Sequence, residues 1–124
     1  MSLNLQSLIR RFCDENSLTY ESPLICNLGA LDRAQRERHQ ANMSQLFGSV
    51  EETEELPDGY AFRWLAESAT ILKVADFIIL ERLCCPFFNF ALELEPESGP
   101  LWLKLTGREG VKQFLLAELG LEVR

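Results

Sequence analysis

The most apolar segment of the chain is ATILKVADFIILERLC at residues 69–84, and it runs directly into Cys85 and Pro86. The segment is too long for an ordinary strand, so its length predicts a helix. A proline disfavours the helical conformation of the residue before it, so we expect the helix to end at Cys84 and Cys85 to be extended. The sequence therefore predicts a helix whose C-terminal end carries two adjacent thiols.

Capping and turn signals divide the first half of the chain into three elements. Residues 2–13 carry apolar side chains at helical spacing and predict an N-terminal helix. Residues 24–28 alternate in hydropathy and predict a strand. Asp32, followed three residues later by Gln35, resembles a capping box, and the polar helix that it starts is expected to end near Gly48.

The second half of the chain predicts two antiparallel pairs of strands. Pro-Asp-Gly at 57–59 separates two alternating runs and is typical of a hairpin turn. We predict an α+β fold with an antiparallel sheet of about five strands, helices mainly on one face and a ferredoxin-like (split βαβ) core. The chain is interpreted as one domain, 1–124, with a core at 22–119. The remaining predicted elements are strands at 51–56, 60–64, 88–95 and 101–105 and a helix at 107–119.

Charge and composition exclude several classes of function. The chain has 124 residues and a net charge of −7, and this charge opposes binding to nucleic-acid phosphates or to anionic membranes. It contains no apolar run long enough to span a bilayer and no signal-peptide pattern at its start, so we expect a cytoplasmic protein. In a reducing compartment the four cysteines are expected to be thiols or metal ligands and not disulfides.

A helical projection of residues 69–84 predicts which side chains face the core. At about 100° per residue, the apolar face centres on Ile71, Leu72, Ala75, Ile78 and Ile79. Arg82 falls in the middle of this face, Cys84 lies opposite, and Glu81 and Cys85 share one stripe. Arg82 is interpreted either as a cation at the helix end that pairs with a glutamate or a terminal carbonyl, or as a cation that stabilises a Cys85 thiolate.

Three cysteines are predicted to meet at the end of this helix. Because Pro86 breaks the regular geometry between Cys84 and Cys85, the two sulfur atoms can converge. The strand at 24–28 would bring Cys26 to the same edge. Three thiolates, completed by Glu81 or by a water, select zinc, Cu(I) or another thiophilic ion.

The predicted cluster favours a metal-binding or metal-sensing domain. Two other functions are alternatives to it. The first is thiol redox chemistry with Cys85 as the nucleophile and Cys84 or Cys26 as the resolving thiol. The second is a non-catalytic dimeric domain whose cysteines are buried and only pack. The sequence contains no complete catalytic triad, and it favours a binding protein over an enzyme.

Three further residues are not included in the predicted cluster. His39, the only histidine, is expected to be partly exposed and to play no part in the site. Cys13 is assigned no role. Trp102 is expected on the sheet face opposite the helices, where it could stack on a second copy of the chain, so we predict a homodimer through this face.

The segment ERLCCPFFNFALELEP resembles a group of small uncharacterised bacterial proteins with an E-R-x-C-C-P-F signature. CNLGAL and LPDGYAFRW before it and GPLWLKLTGREGVKQFL after it extend the similarity over residues 22–118. The resemblance implies a stand-alone bacterial domain and brings no activity. The residues that match the signature or accompany it are Cys26, Glu81, Arg82, Cys84, Cys85, Pro86 and Phe87.

Overall fold

The computed structural model of the protein describes residues 23–120. Within that range the chain forms a 3-10 helix, three α-helices and four β-strands. The predicted helix at 2–13 lies outside the described residues. In chain order the elements are the 3-10 helix Leu28–Ala30, α1 Arg33–Gly48, β1 Glu52–Leu56, β2 Gly59–Trp64, α2 Ser68–Cys84, β3 Asn89–Leu94, β4 Leu101–Thr106 and α3 Val111–Leu119.

The strands form one antiparallel sheet in the order β1-β2-β4-β3. The α+β class and the antiparallel sheet are confirmed, but the described residues contain four strands and not five. The prediction of a strand at 24–28 is wrong. The backbone N–H of Asn27 donates to the carbonyl of Cys84 at 2.8 Å, so this segment is tied to a helix end and not to the sheet. The ferredoxin-like core, which needed that strand, is not confirmed.

Local signals fix the bounds of the first helix and the first hairpin. Asp32 accepts a hydrogen bond from the backbone of Gln35, and the Gln35 side chain accepts one from the backbone of Asp32, so the capping box is confirmed. The hairpin turns between Leu56 and Gly59, as Pro-Asp-Gly predicted. A Cβ at Gly59 would lie 1.9 Å from the carbonyl oxygen of Leu105, so only glycine fits at this position.

An aromatic cluster joins the helices to one face of the sheet. Phe47 of α1 packs edge-on against Phe62 and Trp64 of β2, with ring centroids 5.1 and 5.8 Å apart, and against Phe77 of α2 at 5.5 Å. The Trp64 indole N–H donates to the carbonyl of Leu46 at 2.7 Å, which satisfies the buried indole. These contacts place α1 and α2 on the same side of the sheet.

The buried face of α2 differs from the predicted one. Val74, Phe77 and Leu80 are fully buried, whereas Leu72 is 71% exposed and Ile79 is 55% exposed. Because the helix is apolar on nearly all sides, the periodicity of its sequence did not identify the face that packs. The face that packs ends in Glu81 and Cys84, and this rotation carries both functional groups into the protein interior.

Helix α3 packs beside the Cys-Cys-Pro loop. Its Phe114 ring contacts Phe87 and Phe88, with centroids 5.0 and 5.7 Å apart. The helix begins at Val111, later than predicted, because Gly110 adopts a left-handed conformation with φ of 97°. None of the helices in residues 23–120 combines the length and the hydropathy that a membrane crossing requires.

Candidate metal centre

The end of α2 brings two thiols into one buried space. The helix stops at Cys84, as predicted, and Cys85 leaves it with φ of −129° and ψ of 72°. The Cys85 N–H still donates to the carbonyl of Glu81 at 2.7 Å, so the chain turns without losing that bond. The sulfur atoms of Cys84 and Cys85 lie 4.0 Å apart, and both side chains are fully buried.

The segment before α1 supplies the third thiol. The hydrogen bond from Asn27 N–H to the carbonyl of Cys84 fixes Cys26 beside the helix end. Asn27 also caps the 3-10 helix, because its side-chain oxygen accepts from the N–H of Gly29 at 3.2 Å. The expected meeting of the three cysteines therefore occurs, although a capped loop and not a strand positions Cys26.

Four ligand atoms converge at this point. One ligand atom each from Cys26, Glu81, Cys84 and Cys85 lie within 4.8 Å of one another. The sulfur of Cys84 lies 3.4 Å from Oε1 of Glu81. Three soft sulfur donors with one carboxylate form a donor set that suits zinc and similar ions.

His39 lies against this group, which corrects the expectation that it is partly exposed. It is 2% exposed and stacks on Phe77 with ring centroids 5.3 Å apart. Its Nε2 lies 3.5 Å from Oε1 of Glu81. Burial alone would lower the pKa of His39, but the neighbouring Cys84 and Glu81 raise it to about 9. The imidazole therefore carries a positive charge beside the cluster at neutral pH.

Glu118 of α3 reaches the cluster from the other side. Its Oε2 lies 3.9 Å from the sulfur of Cys85. Burial and the charge of Glu81 raise the pKa of Glu118 to about 8, so its carboxyl group is largely protonated at neutral pH. Glu81 behaves differently, since His39 and Glu118 hold its pKa below the usual range despite its burial. At neutral pH, Glu118 is thus a neutral carboxylic acid and Glu81 is a carboxylate.

The three thiols also differ in pKa. The adjacent Cys85 thiol lowers the pKa of Cys84 to about 6 against the effect of burial. Burial and the neighbouring Cys84 raise the pKa of Cys26 to about 12, and Cys84 together with burial raises the pKa of Cys85. The cluster therefore holds one thiolate at neutral pH, and its protons are shared among interacting sites.

Arg82, which the sequence also singled out, does not join this buried group. Arg82 is exposed, so the cation next to the cluster is His39. Cys13 lies outside the described residues. His39 and Glu118 were missed in the sequence. His39 precedes the buried Leu46 by seven positions, and Glu118 follows the buried Val111 by seven, so each lies on the packed face of its helix, but this spacing alone does not show which face packs.

Comparisons of the chain with protein-family models, with curated proteins and with solved structures found no significant match. The function is therefore inferred from the geometry and chemistry of the site itself.

Proposed function

We propose that the protein is a metal-binding or metal-sensing domain that holds one thiophilic divalent ion, zinc in the first instance. Cys26, Cys84, Cys85 and Glu81 are the ligands. The observation that carries the proposal is the convergence of these four ligand atoms within 4.8 Å in a largely buried space.

The measured separations support a tetrahedral site. Zinc–sulfur bonds of about 2.3 Å at tetrahedral angles place two sulfurs about 3.8 Å apart, and a sulfur and a carboxylate oxygen about 3.5 Å apart. The sulfurs of Cys84 and Cys85 are separated by 4.0 Å, and the sulfur of Cys84 lies 3.4 Å from the Glu81 oxygen. An ion can therefore enter between these atoms with small side-chain adjustments.

The surrounding charges are consistent with this set of ligands. Three thiolates and one carboxylate exceed the charge of a divalent ion by two, which is costly in a buried site. The His39 cation beside Glu81 offsets one of these charges and orients the carboxylate, as outer-shell partners of metal ligands commonly do. Glu118, as a neutral acid, adds no further charge.

A cobalt titration of the reduced protein tests the proposal. Tetrahedral Co(II) absorbs strongly in the visible region, and thiolate ligands add charge-transfer bands in the near ultraviolet whose intensity rises with the number of thiolates. We expect one ion per chain, displaced by zinc. Cys26→Ser, Cys84→Ser and Cys85→Ser should each weaken zinc binding by more than about 100-fold, a loss larger than that for outer-shell changes.

The matched control is Cys13→Ser, which removes one thiol without changing the four proposed ligands. This variant should bind one ion with the spectrum of the unaltered protein. If a fully reduced sample takes up no cobalt or zinc, the proposal is wrong.

A second function, thiol redox chemistry, is favoured by one observation. The pKa of Cys84 is lowered to about 6, and a second sulfur lies 4.0 Å away. Thiolates are the reactive form of cysteine, so Cys84 would be the nucleophile and not Cys85 as expected from the sequence. Fast native-state alkylation at Cys84 would support this function, whereas slow alkylation of all three thiols would oppose it.

A homodimer through the sheet face near Trp102 remains a further proposal. The Trp102 indole N–H donates to Glu95 at 2.8 Å, and the Arg63 guanidinium lies 5.8 Å from the ring centroid. These contacts hold the ring in a fixed position from which a second copy could pack on it. Light scattering of Trp102→Ala tests this proposal, and an unchanged mass would count against the interface.

A further inference from the structure

A cavity of about 460 Å³ opens beside the thiol cluster. Its size is that of a site for a small organic molecule, because such pockets range from about 300 to 1,000 Å³. A single water has a share of only about 30 Å³ in the liquid. A bare metal ion on the cluster would therefore leave most of the cavity unfilled.

Residues of the thiol cluster and its neighbours form part of the cavity lining. Cys26, His39, Glu81 and Glu118 all line it. Cys84 and Cys85 are fully buried, within ligand distance of Cys26 and Glu81. A molecule in the cavity thus meets the cluster through Cys26.

His39 gives an independent sign that the cavity takes a ligand. Its ring is buried, its Nε2 forms the ion pair with Glu81, and its Nδ1 has no hydrogen-bond partner among the described residues. Buried polar groups in folded proteins are normally satisfied, and one that faces a cavity is a place for a bound molecule.

The side walls favour an organic group over a charged one. Leu28, which is 47% exposed, and Met43 form an apolar part of the wall. An apolar side chain left open on a cavity wall gains free energy when a ligand covers it.

The charges of the lining residues nearly balance. Arg33 is paired with Glu37 at 3.3 Å, and Arg36 donates to the carbonyl of Leu31 at 3.2 Å, so both cations already have partners. The His39 cation lies beside the Glu81 carboxylate, and Glu118 is a neutral acid at neutral pH. A neutral molecule is therefore favoured.

Building on the thiolate cluster of the proposed function, we propose that this site binds molecules in which a thiophilic atom carries one organic substituent. A mono-organic trivalent arsenical is an example of this class. The cluster binds the thiophilic atom, and the cavity between Leu28 and Met43 binds the substituent.

The binding step is balanced without an oxidant or a reductant. With phenylarsine oxide, the sulfur atoms of Cys26 and Cys84 each form a bond to arsenic. Cys26 loses its thiol proton, and Cys84 reacts as the thiolate that it is at neutral pH. The arsenic–oxygen bonding is broken, and the oxygen leaves as water with the Cys26 proton and one proton from the solvent. Arsenic remains trivalent and keeps its bond to the phenyl ring, which enters the cavity. Inorganic arsenite instead binds three thiols, releases three waters and carries no group for the cavity.

Variants that fill or charge the cavity should affect the binding of phenylarsine oxide and not that of arsenite. Gln40 is an exposed lining residue of α1, so Gln40→Trp should narrow the cavity without disturbing the core. Leu28→Asp is a second variant that makes the wall acidic. We expect both to weaken phenylarsine oxide binding by about tenfold or more, the loss expected when about 1.4 kcal/mol of apolar contact is removed.

Native mass spectrometry with a competing dithiol measures both affinities. Arsenite and zinc binding should stay within about twofold of the unaltered protein in these variants. Gln113→Trp, at an exposed position of α3 outside the cavity lining, is the matched control and should change neither affinity.

If Gln40→Trp and Leu28→Asp weaken both arsenicals equally, or weaken neither, the inference is wrong. Unchanged zinc binding in the same samples would leave the proposed function intact. If Cys26→Ser binds zinc as well as the unaltered protein does, the proposed function itself fails.

Discussion

Nε2 of His39 lies 3.5 Å from Oε1 of Glu81, and both side chains are almost completely buried. Helix α1 supplies the histidine and the last turn of α2 supplies the glutamate. Arg38 and Asn42 of α1 both bond Asp76 of α2, at 2.8 and 2.7 Å, and hold the two helices in this position. The pair therefore fixes the carboxylate that faces the three thiols.

The variant His39→Phe should weaken metal binding and destabilise the fold. It leaves the buried Glu81 carboxylate without its cation, and removing one partner of a buried pair costs about 3–5 kcal/mol. Zinc affinity should fall by about 10–100-fold, as for other outer-shell changes. Urea unfolding and a zinc competition assay give the two values.

The double variant His39→Phe with Glu81→Leu is the control for that experiment. Removing both charges should restore much of the free energy of unfolding that His39→Phe loses, while zinc binding remains weak. A single His39→Phe variant as stable as the unaltered protein would show that the pair contributes little.

The metal-free protein should lose stability as the pH rises. The pKa of Glu118 is raised from 4.5 to about 8, so its contribution is full below pH 4.5 and is lost as the pH rises through 8. His39 acts in the same direction between pH 6.5 and 9, but the lowered pKa of Cys84 acts in the opposite direction between about pH 6 and 9 and offsets it, so the net decline comes from Glu118. Glu118→Gln should remove the part of the decline below pH 8. Unfolding free energies measured from pH 5 to 9 test this, and parallel curves for the two proteins would contradict it.

Zinc affinity should rise with pH. Cys26 and Cys85 are thiols at neutral pH because their pKa values are raised, whereas the pKa of Cys84 is lowered to about 6. Binding then releases about two protons near pH 7, which makes affinity increase about 100-fold per pH unit. Calorimetry in buffers of different ionisation enthalpy counts these protons. If zinc affinity does not change between pH 6.5 and 8, the assigned protonation states are wrong.

Arg82 should be dispensable for metal binding. Its side chain is exposed, and the cation beside the ligands is His39. Arg82→Gln is therefore expected to change zinc affinity by no more than about twofold, as for an exposed charge in water. A loss comparable to that of His39→Phe would instead restore the role of Arg82 in balancing the charge of the cluster.

The parts of the fold set by local chemistry were predictable from the sequence. Pro86 ends α2 at Cys84, Asp32 and Gln35 cap α1, and Pro-Asp-Gly turns the first hairpin. Each of these signals acts within a few residues, so tertiary contacts do not override it.

The rest depended on contacts between distant elements. The buried face of α2 was not predictable, because the helix carries apolar side chains on nearly all sides. The aromatic contacts among Phe47, Phe62 and Phe77 determine which face packs. The role of His39 was missed because α1 has a mainly polar sequence and yet buries a polar stripe against α2. Glu118 was missed because it is far from the cysteines along the chain.

X-ray absorption at the zinc edge of the reduced, zinc-loaded protein identifies the ligand atoms themselves. We expect three sulfur neighbours at about 2.3 Å and one oxygen at about 2.0–2.2 Å. Glu81→Gln should then alter the oxygen shell and leave the three sulfurs in place. A shell of nitrogen and oxygen atoms alone, or zinc that is lost on dialysis, would contradict the assignment of Cys26, Cys84, Cys85 and Glu81 as the ligands.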